Sequence, residues 1–186
     1  MAIEVERARK RFTRAEYRRM VDVGIIKPDD RVELIRGEII EMSPPGSRHI
    51  ALVNNLTELL VLRLAGRATV SVQNPVVVAD DSEPQPDLAV LRRRPYKEAE
   101  PVRGDVLLLI EVAETSLRYD RSTKLLLYAE TGIPEYWVVD CAAEAVEVHR
   151  DAAADGYRHA ARVDLHGTVS LTAFPDVSLA VRDIFA

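Results

Sequence analysis

The chain has 186 residues, of which 47% are hydrophobic and 30% are charged, and its formal net charge is −5. This length and balance exclude a fibrous or intrinsically disordered protein and predict one globular domain spanning residues 1–186. The single cysteine excludes an internal disulfide and a thiolate metal cage, and the acidic balance gives no general attraction to nucleic acid.

No apolar run approaches the roughly 20 residues that a membrane-spanning helix needs. The N-terminal stretch MAIEVERARKRF is charged and has no hydrophobic region of the kind found in signal peptides. We therefore expect a cytoplasmic protein that does not enter a membrane.

The first predicted elements are a short helix and a β-hairpin. Thr13 and Glu16 in TRAE have the spacing of a capping box, which favours a helix beginning there. Two β-prone runs in RVELIRGEIIEM flank Gly37, which supplies the positive φ of a tight turn. Hydrophobic residues at helical spacing then predict an amphipathic helix over residues 48–65, capped by Ser47.

The remainder is predicted to be mainly β-structure. Strands are predicted at residues 69–79, 87–92 and 105–113. The last of these is nearly all apolar and is therefore expected at the centre of its sheet. A helix capped by Thr115 or Ser116 should end at Gly132, and EYWVVD, AVEVHR, YRHAARVD and the tail predict further strands. This order predicts an α+β fold, a mixed β-sheet flanked by helices with extra β-hairpins.

Two carboxylates stand out within strand-like segments. Asp87 lies between prolines and an apolar run in SEPQPDLAVL, and Glu111 lies in VLLLIEVA, where burying a lone carboxylate is costly. If these strands pair antiparallel around a turn centred on residue 99, Asp87 and Glu111 lie directly opposite each other. Adjacent carboxylates repel unless a cation or a proton lies between them, and Mg²⁺ is commonly bound in this way.

Lys124 is the candidate third member of this site. Only four of the 25 basic residues are lysine, and Lys124 lies early in the helix that follows the strand of Glu111. Its ammonium is a compact charge that can orient a water or stabilise developing charge on a phosphoryl group. Alone, a lysine there is typical of a solvated helix face; beside two carboxylates it becomes a site residue.

These segments carry a family resemblance. QPDLAV, LLLIEVAETS and DRSTKLLLYAETGIPEYWVVD, with RVELIRGEIIEMSPPGSRHIALVNNL upstream, resemble the Uma-type putative restriction endonuclease family, which is similar to the PD-(D/E)xK nuclease superfamily. The similarity covers most of residues 12–140. It implies a restriction-endonuclease-like fold in which Asp87 and Glu111 bind Mg²⁺ or Mn²⁺ and Lys124 supplies the catalytic ammonium.

The chain departs from the superfamily pattern at one position. The pattern places lysine two residues after the acid, where this chain has Ala113, so Lys124 must reach the same space from the next helix. The resemblance also places Glu33, in VELIRGE, at the edge of the site as a further ligand of metal or water. The alternative for Glu33 is an exposed hairpin carboxylate.

Other polar residues have simpler interpretations. His49 precedes the amphipathic helix and can contact a phosphate there, but no second histidine is spaced as a metal partner, so it is expected to be a residue of the helix start. Asp120 and Glu114 are expected to stabilise a helix N-terminus. The basic run over residues 92–97 either clamps a phosphodiester backbone or forms a solvated loop.

The function that these residues favour is metal-dependent hydrolysis of phosphodiester bonds in nucleic acid, with DNA as the expected substrate. One alternative is a catalytically inactive nuclease-like module that binds nucleic acid or a protein partner. Another is a glycoside hydrolase, which is weaker because aromatic residues make up only 5% of the chain. Tyr136 and Trp137 are expected in the core or an interface, and the apolar 130s and β-rich tail suggest a homodimer.

Overall fold

The computed structural model describes residues 9–186. The helices are α1 (Arg14–Asp22), α2 (Ser47–Leu64), α3 (Leu117–Tyr119), α4 (Leu125–Glu130) and α5 (Val181–Ile184). The strands are β1 (Val32–Ile35), β2 (Glu38–Glu41), β3 (Ala68–Val72), β4 (Leu88–Arg92), β5 (Val106–Ala113), β6 (Glu135–Asp140), β7 (Ala145–Ala153), β8 (Gly156–Val163), β9 (Thr168–Leu171) and β10 (Phe174–Ala180). A π-helical turn, Asp120–Lys124, joins α3 to α4. Residues 1–8 lie outside the described residues. They belong to the N-terminal stretch in which the sequence predicts no signal region.

A six-stranded mixed sheet in the order β3-β4-β5-β6-β7-β8 forms the centre of the fold. β5 and β6 run parallel, and the other neighbouring strands run antiparallel. Helix α2, α5 and the β9–β10 hairpin cover one face of the sheet, and α4 and β1 contribute to the cluster on the other. The predicted α+β fold and the central position of β5 are therefore confirmed.

The N-terminal helix and hairpin also form as predicted. Thr13 and Glu16 make a complete capping box at the start of α1. The hairpin turn has Gly37 at φ 75°. A Cβ there would lie 2.7 Å from the Cβ of Arg11, so both the conformation and the space require glycine. The hairpin is thereby held close to the chain segment that precedes α1.

Three predicted boundaries differ from the structure. The strand predicted over residues 69–79 ends at Val72, because Gln73 has φ 50° and Pro75 has no N–H to donate to a ladder. Ser47 is the first residue of α2 and does not cap it; Gly46 holds the cap position without a side-chain hydrogen bond. The helix predicted to continue to Gly132 is interrupted by the π turn and ends at Glu130.

The apolar segment of the 130s is used inside the chain's own core. Tyr136 and Trp137 are fully buried, as predicted, and Ile133, Val138 and Val139 are fully buried with them. These side chains are therefore not available to a second copy, and the homodimer remains a prediction. Within residues 9–186 no helix is long and apolar enough to cross a membrane.

Candidate functional site

A cavity of about 600 Å³ lies where the beginning of β4 meets the end of β5. The two strands are antiparallel, with Leu88 opposite Ile110 and Val90 opposite Leu108. This is the predicted register, and extending it by one residue places Asp87 opposite Glu111. A bulge after Val90 shifts the rest of the ladder, so the connecting loop is not symmetric about its centre.

Lys124 lines the same cavity and lies between two glutamates. Its Nζ is 3.0 Å from Oε1 of Glu111 and 3.2 Å from Oε2 of Glu33. The three residues are only 5%, 4% and 2% exposed, respectively. The hydroxyl of Tyr128 donates to the same Oε1 of Glu111 at 2.8 Å, and the backbone N–H of Gln85 donates to Glu33 at 3.0 Å. A buried ammonium is therefore fixed in place by two buried carboxylates.

The charges around Lys124 do not balance. Burial acts to lower the pKa of Lys124, but the neighbouring Glu111, Glu33 and Asp120 outweigh it and the pKa lies above its ordinary value. Burial raises the pKa of Glu111 well above its ordinary value; Lys124 opposes this rise, and Asp120, Asp87 and Glu33 add to it. One ammonium thus lies near three carboxyl groups. The cavity as a whole is lined by six acidic side chains and by two strongly basic ones, Arg31 and Lys124, so it carries surplus negative charge.

Asp120 is the third carboxyl group near Lys124. It is buried at the beginning of the π turn, four residues before Lys124, and accepts a hydrogen bond of 2.5 Å from the hydroxyl of Ser116. Burial raises its pKa to about 6, an effect that Lys124 and Ser116 only partly offset. A π turn inside a helix often marks a functional position, because the extra residue changes the direction of the side chains.

Asp87 is held by different partners. It accepts hydrogen bonds from the backbone N–H of Val112 at 2.8 Å and from Nε2 of Gln73 at 3.2 Å. Burial acts to raise the pKa of Asp87, but His49 and these donors outweigh it, so the pKa is lowered. Asp87 is therefore an ionised carboxylate of fixed orientation.

His49 contacts both strands at the site. Its Nδ1 is 3.0 Å from the carbonyl oxygen of Val112, and its Nε2 is 3.0 Å from Oδ1 of Asp87. Nε2 is nevertheless buried without a properly directed hydrogen bond. The interaction with Asp87, partly opposed by burial, raises the pKa of His49. The sequence predicts His49 only at the start of a helix, whereas the structure also places its ring in the cavity wall.

The donor set fits one class of metal ion. No cluster of three or more acidic, histidine or cysteine side chains in the described part of the chain is arranged to hold a metal ion. Mg²⁺ does not need such a cluster, since it is usually bound by one or two carboxylates and keeps several waters. Asp87 and Glu111, in a cavity with surplus negative charge, match that requirement. The Val112 carbonyl is a further oxygen at the same place, in contact with His49.

The structure brings all four predicted site residues, Asp87, Glu111, Lys124 and Glu33, to the wall of one cavity. Glu33 is not the exposed hairpin carboxylate that was the alternative.

Asp120 lines the same cavity, although the sequence predicts for it only a role at a helix N-terminus. Its spacing of four residues from Lys124, which puts both side chains on one helix face, was the available signal. Glu114 lies against Gly46 at the start of α2, so it is near a different helix from the one expected.

The basic run lies away from the cavity. β4 begins beside Asp87 and ends at Arg92, so the run begins at the opposite end of this strand. Arg94 is paired with Asp105, with Nε 2.7 Å from Oδ1, and its guanidinium lies 4.1 Å from the ring centroid of Tyr96. The Nε of Arg92 donates to the carbonyl of Gly104 at 3.1 Å. These contacts fit the solvated loop and not a clamp at the site.

Comparisons with known proteins identify the family and the fold. The model of the Uma2 family, described as putative restriction endonuclease, matches residues 14–182. The fold is similar to the crystal structure of a putative nuclease belonging to DUF820 from Anabaena variabilis. The two chains are 17% identical, with a TM-score of 0.72, over 94% of this chain and 97% of that chain. No curated protein matches the chain significantly. At that identity the structural likeness shows the fold alone.

Proposed function

The chain belongs to the Uma2 family of putative restriction endonucleases, and on that basis we propose that it is a metal-dependent endonuclease that hydrolyses phosphodiester bonds of DNA. Asp87 and Glu111 would hold Mg²⁺ or Mn²⁺, Lys124 would be the catalytic ammonium, and Glu33 would position it. The observation that carries the proposal is the convergence of these four side chains on one cavity with surplus negative charge.

A bound divalent ion would supply Lewis-acid polarisation of the scissile phosphate and lower the pKa of a water. Lys124 acts as a charged donor and not as a base, because the surrounding carboxylates hold its ammonium protonated. Its charge would stabilise the negative charge that develops on the phosphoryl oxygens, and its burial strengthens that interaction. Asp87 is oriented by the Val112 N–H, so little reorganisation is needed when it binds.

Plasmid nicking by the purified protein tests the proposal. We expect nicking that requires Mg²⁺ or Mn²⁺ and that falls by about 100-fold or more in Asp87→Asn, since even loss of a residue that supports a metal ligand costs 10- to 100-fold. Asp151→Asn, which changes an exposed carboxylate on β7, should cut like the wild type. Cutting that persists in a folded Asp87→Asn protein, as judged by circular dichroism, would contradict the proposal.

A second candidate is a catalytically inactive module that binds nucleic acid or a protein partner. The observation in its favour is Ala113, which stands where the superfamily pattern has its lysine. Isothermal titration calorimetry with Mg²⁺ and Mn²⁺ separates the two candidates, because an inactive module does not need to keep a divalent site. Metal binding that disappears in Glu111→Gln favours the nuclease. DNA binding without metal binding or cutting favours the module.

A further inference from the structure

The hydroxyl of Tyr119 is buried in the cavity wall without a hydrogen-bond partner. Within residues 9–186 only three buried side-chain atoms lack a partner, namely Nε2 of His49, the hydroxyl of Tyr119 and Nε2 of His149. Two of these three residues, His49 and Tyr119, line the same cavity. A buried tyrosine hydroxyl usually has a partner, because leaving one unsatisfied destabilises the folded chain. Because this hydroxyl lies in the wall of the cavity, a ligand bound there can supply the missing acceptor.

The surroundings of Tyr119 determine which kind of contact its hydroxyl can make with that ligand. Burial raises the pKa of Tyr119 to about 12, with Glu33 adding to the rise and Lys124 opposing it. The phenol is therefore neutral at physiological pH and can donate a hydrogen bond, but it is not an ionised nucleophile. Tyr119 is also the last residue before the π turn that carries Asp120 and Lys124, so its ring is positioned by the same short helical segment.

A neutral donor at the position of Tyr119 adds no positive charge to a cavity that Lys124 and Arg31 already line. Glu33 and Glu111 share the ammonium of Lys124, and a fixed cation in place of Tyr119 would compete with a divalent ion for the remaining carboxylates. A hydroxyl can bind an anionic oxygen without that competition. Phosphodiester oxygens are strong acceptors of this kind, and serine, threonine and tyrosine hydroxyls are common donors to nucleic-acid phosphates.

We propose that Tyr119 is a substrate-binding residue whose hydroxyl donates a hydrogen bond to a non-bridging oxygen of the phosphodiester in the cavity. The proposal rests on the nuclease function proposed above. It assigns to Tyr119 a role in recognition of the phosphate group. It also explains why the folded chain keeps an unsatisfied hydroxyl at this position.

The test compares Tyr119→Phe with wild type in two measurements. The first is the affinity for a short oligodeoxynucleotide by fluorescence anisotropy, with Ca²⁺ replacing Mg²⁺ to prevent cutting. We expect binding about tenfold weaker, equivalent to about 1.4 kcal/mol. The second is urea unfolding of the free protein, where we expect Tyr119→Phe to be at least as stable as wild type, because the lost hydroxyl has no partner in the folded chain.

Tyr96→Phe is the matched control. The hydroxyl of Tyr96 donates to the carbonyl of Arg92 at 2.8 Å, at the other end of β4 from the cavity. We expect this variant to bind the oligonucleotide like wild type and to be slightly less stable.

The possible outcomes separate the two proposals. Equal binding by wild type and Tyr119→Phe overturns the role of Tyr119 and leaves the nuclease function standing. A loss of stability in Tyr119→Phe that matches or exceeds that of Tyr96→Phe also overturns it, because the hydroxyl then has a partner within the chain. Absence of both binding and cutting in wild type, with every divalent ion tried, overturns the nuclease function and the role of Tyr119 together.

Discussion

Replacing Asp120 by asparagine should stabilise the protein at neutral pH. The pKa of Asp120 lies at about 6 instead of 3.8, mainly because the carboxyl group is buried. Each pKa unit corresponds to about 1.4 kcal/mol, so ionising this group in the folded chain costs about 3 kcal/mol. Asparagine keeps the size of the side chain and an oxygen that can accept from Ser116, but it carries no charge. Asp120→Asn should therefore avoid most of that cost.

The sign of the effect depends on pH. A carboxyl group whose pKa is raised on folding binds its proton more tightly in the folded state. Its favourable contribution is complete below about pH 4 and is lost as the pH rises through about 6. Wild type and Asp120→Asn should therefore be about equally stable near pH 4, and the variant should be more stable by up to about 3 kcal/mol near pH 8.

Urea unfolding followed by circular dichroism across this range measures the difference. With a slope of about 2–3 kcal/mol per molar urea, the midpoint of the variant should be higher by about 1 M near pH 8. Glu58→Gln, which neutralises an exposed carboxylate on α2, gives the baseline for loss of one acidic charge. If Asp120→Asn is less stable than wild type near pH 8, Asp120 is a net stabilising partner of Lys124 and the reasoning is wrong.

Three further predictions concern the same cavity and the basic run. Lys124→Met removes the cation that lies between two buried glutamates, so the unfolding free energy near neutral pH should fall by about 3–5 kcal/mol; an unchanged urea midpoint would contradict this. Mg²⁺ at about 100 times its Kd should raise the stability of wild type by about 2.7 kcal/mol, and Glu111→Gln should abolish that gain in thermal denaturation. The double variant Arg93→Ala and Lys97→Ala should cleave DNA like wild type, because the basic run lies at the far end of β4 from the cavity. Its DNA affinity should also depend on salt concentration as in wild type. A weaker salt dependence, equivalent to the loss of about two phosphate contacts, would show that DNA binds to the basic run.

The position of the two strand carboxylates could be predicted from sequence because β-pairing is regular. Side chains alternate between the two faces of a strand with a period of two, and the residue numbers of opposed residues in an antiparallel pair have a constant sum. Once residues 87–92 and 105–113 are taken as neighbouring strands, the relation of Asp87 to Glu111 follows. Lys124 was identified differently, as a rare lysine beside an otherwise uncompensated carboxylate. Both inferences rely on short-range rules or on simple charge balance.

Asp120 and His49 could not be placed in the same way. The spacing of Asp120 and Lys124 indicates a shared helix face, but the direction of that face depends on the π turn, which leaves no clear signal in the sequence. His49 reaches Val112 and Asp87 only because α2 begins close to the end of β5, which is a tertiary relation between distant segments. The early end of β3 likewise depends on the positive φ of Gln73, a residue type that rarely adopts this conformation.

The π turn at Asp120–Lys124 also bears on how such a site can change during evolution. A residue in a strand can move by one position only by turning its side chain to the opposite face, which would take a lysine out of the site altogether. One residue gained or lost in a helix rotates everything beyond it by about 100° and leaves the sheet untouched. An ammonium carried by a helix can thus be redirected by a single insertion or deletion, so related chains can alter its alignment without rebuilding the strands that hold the carboxylates.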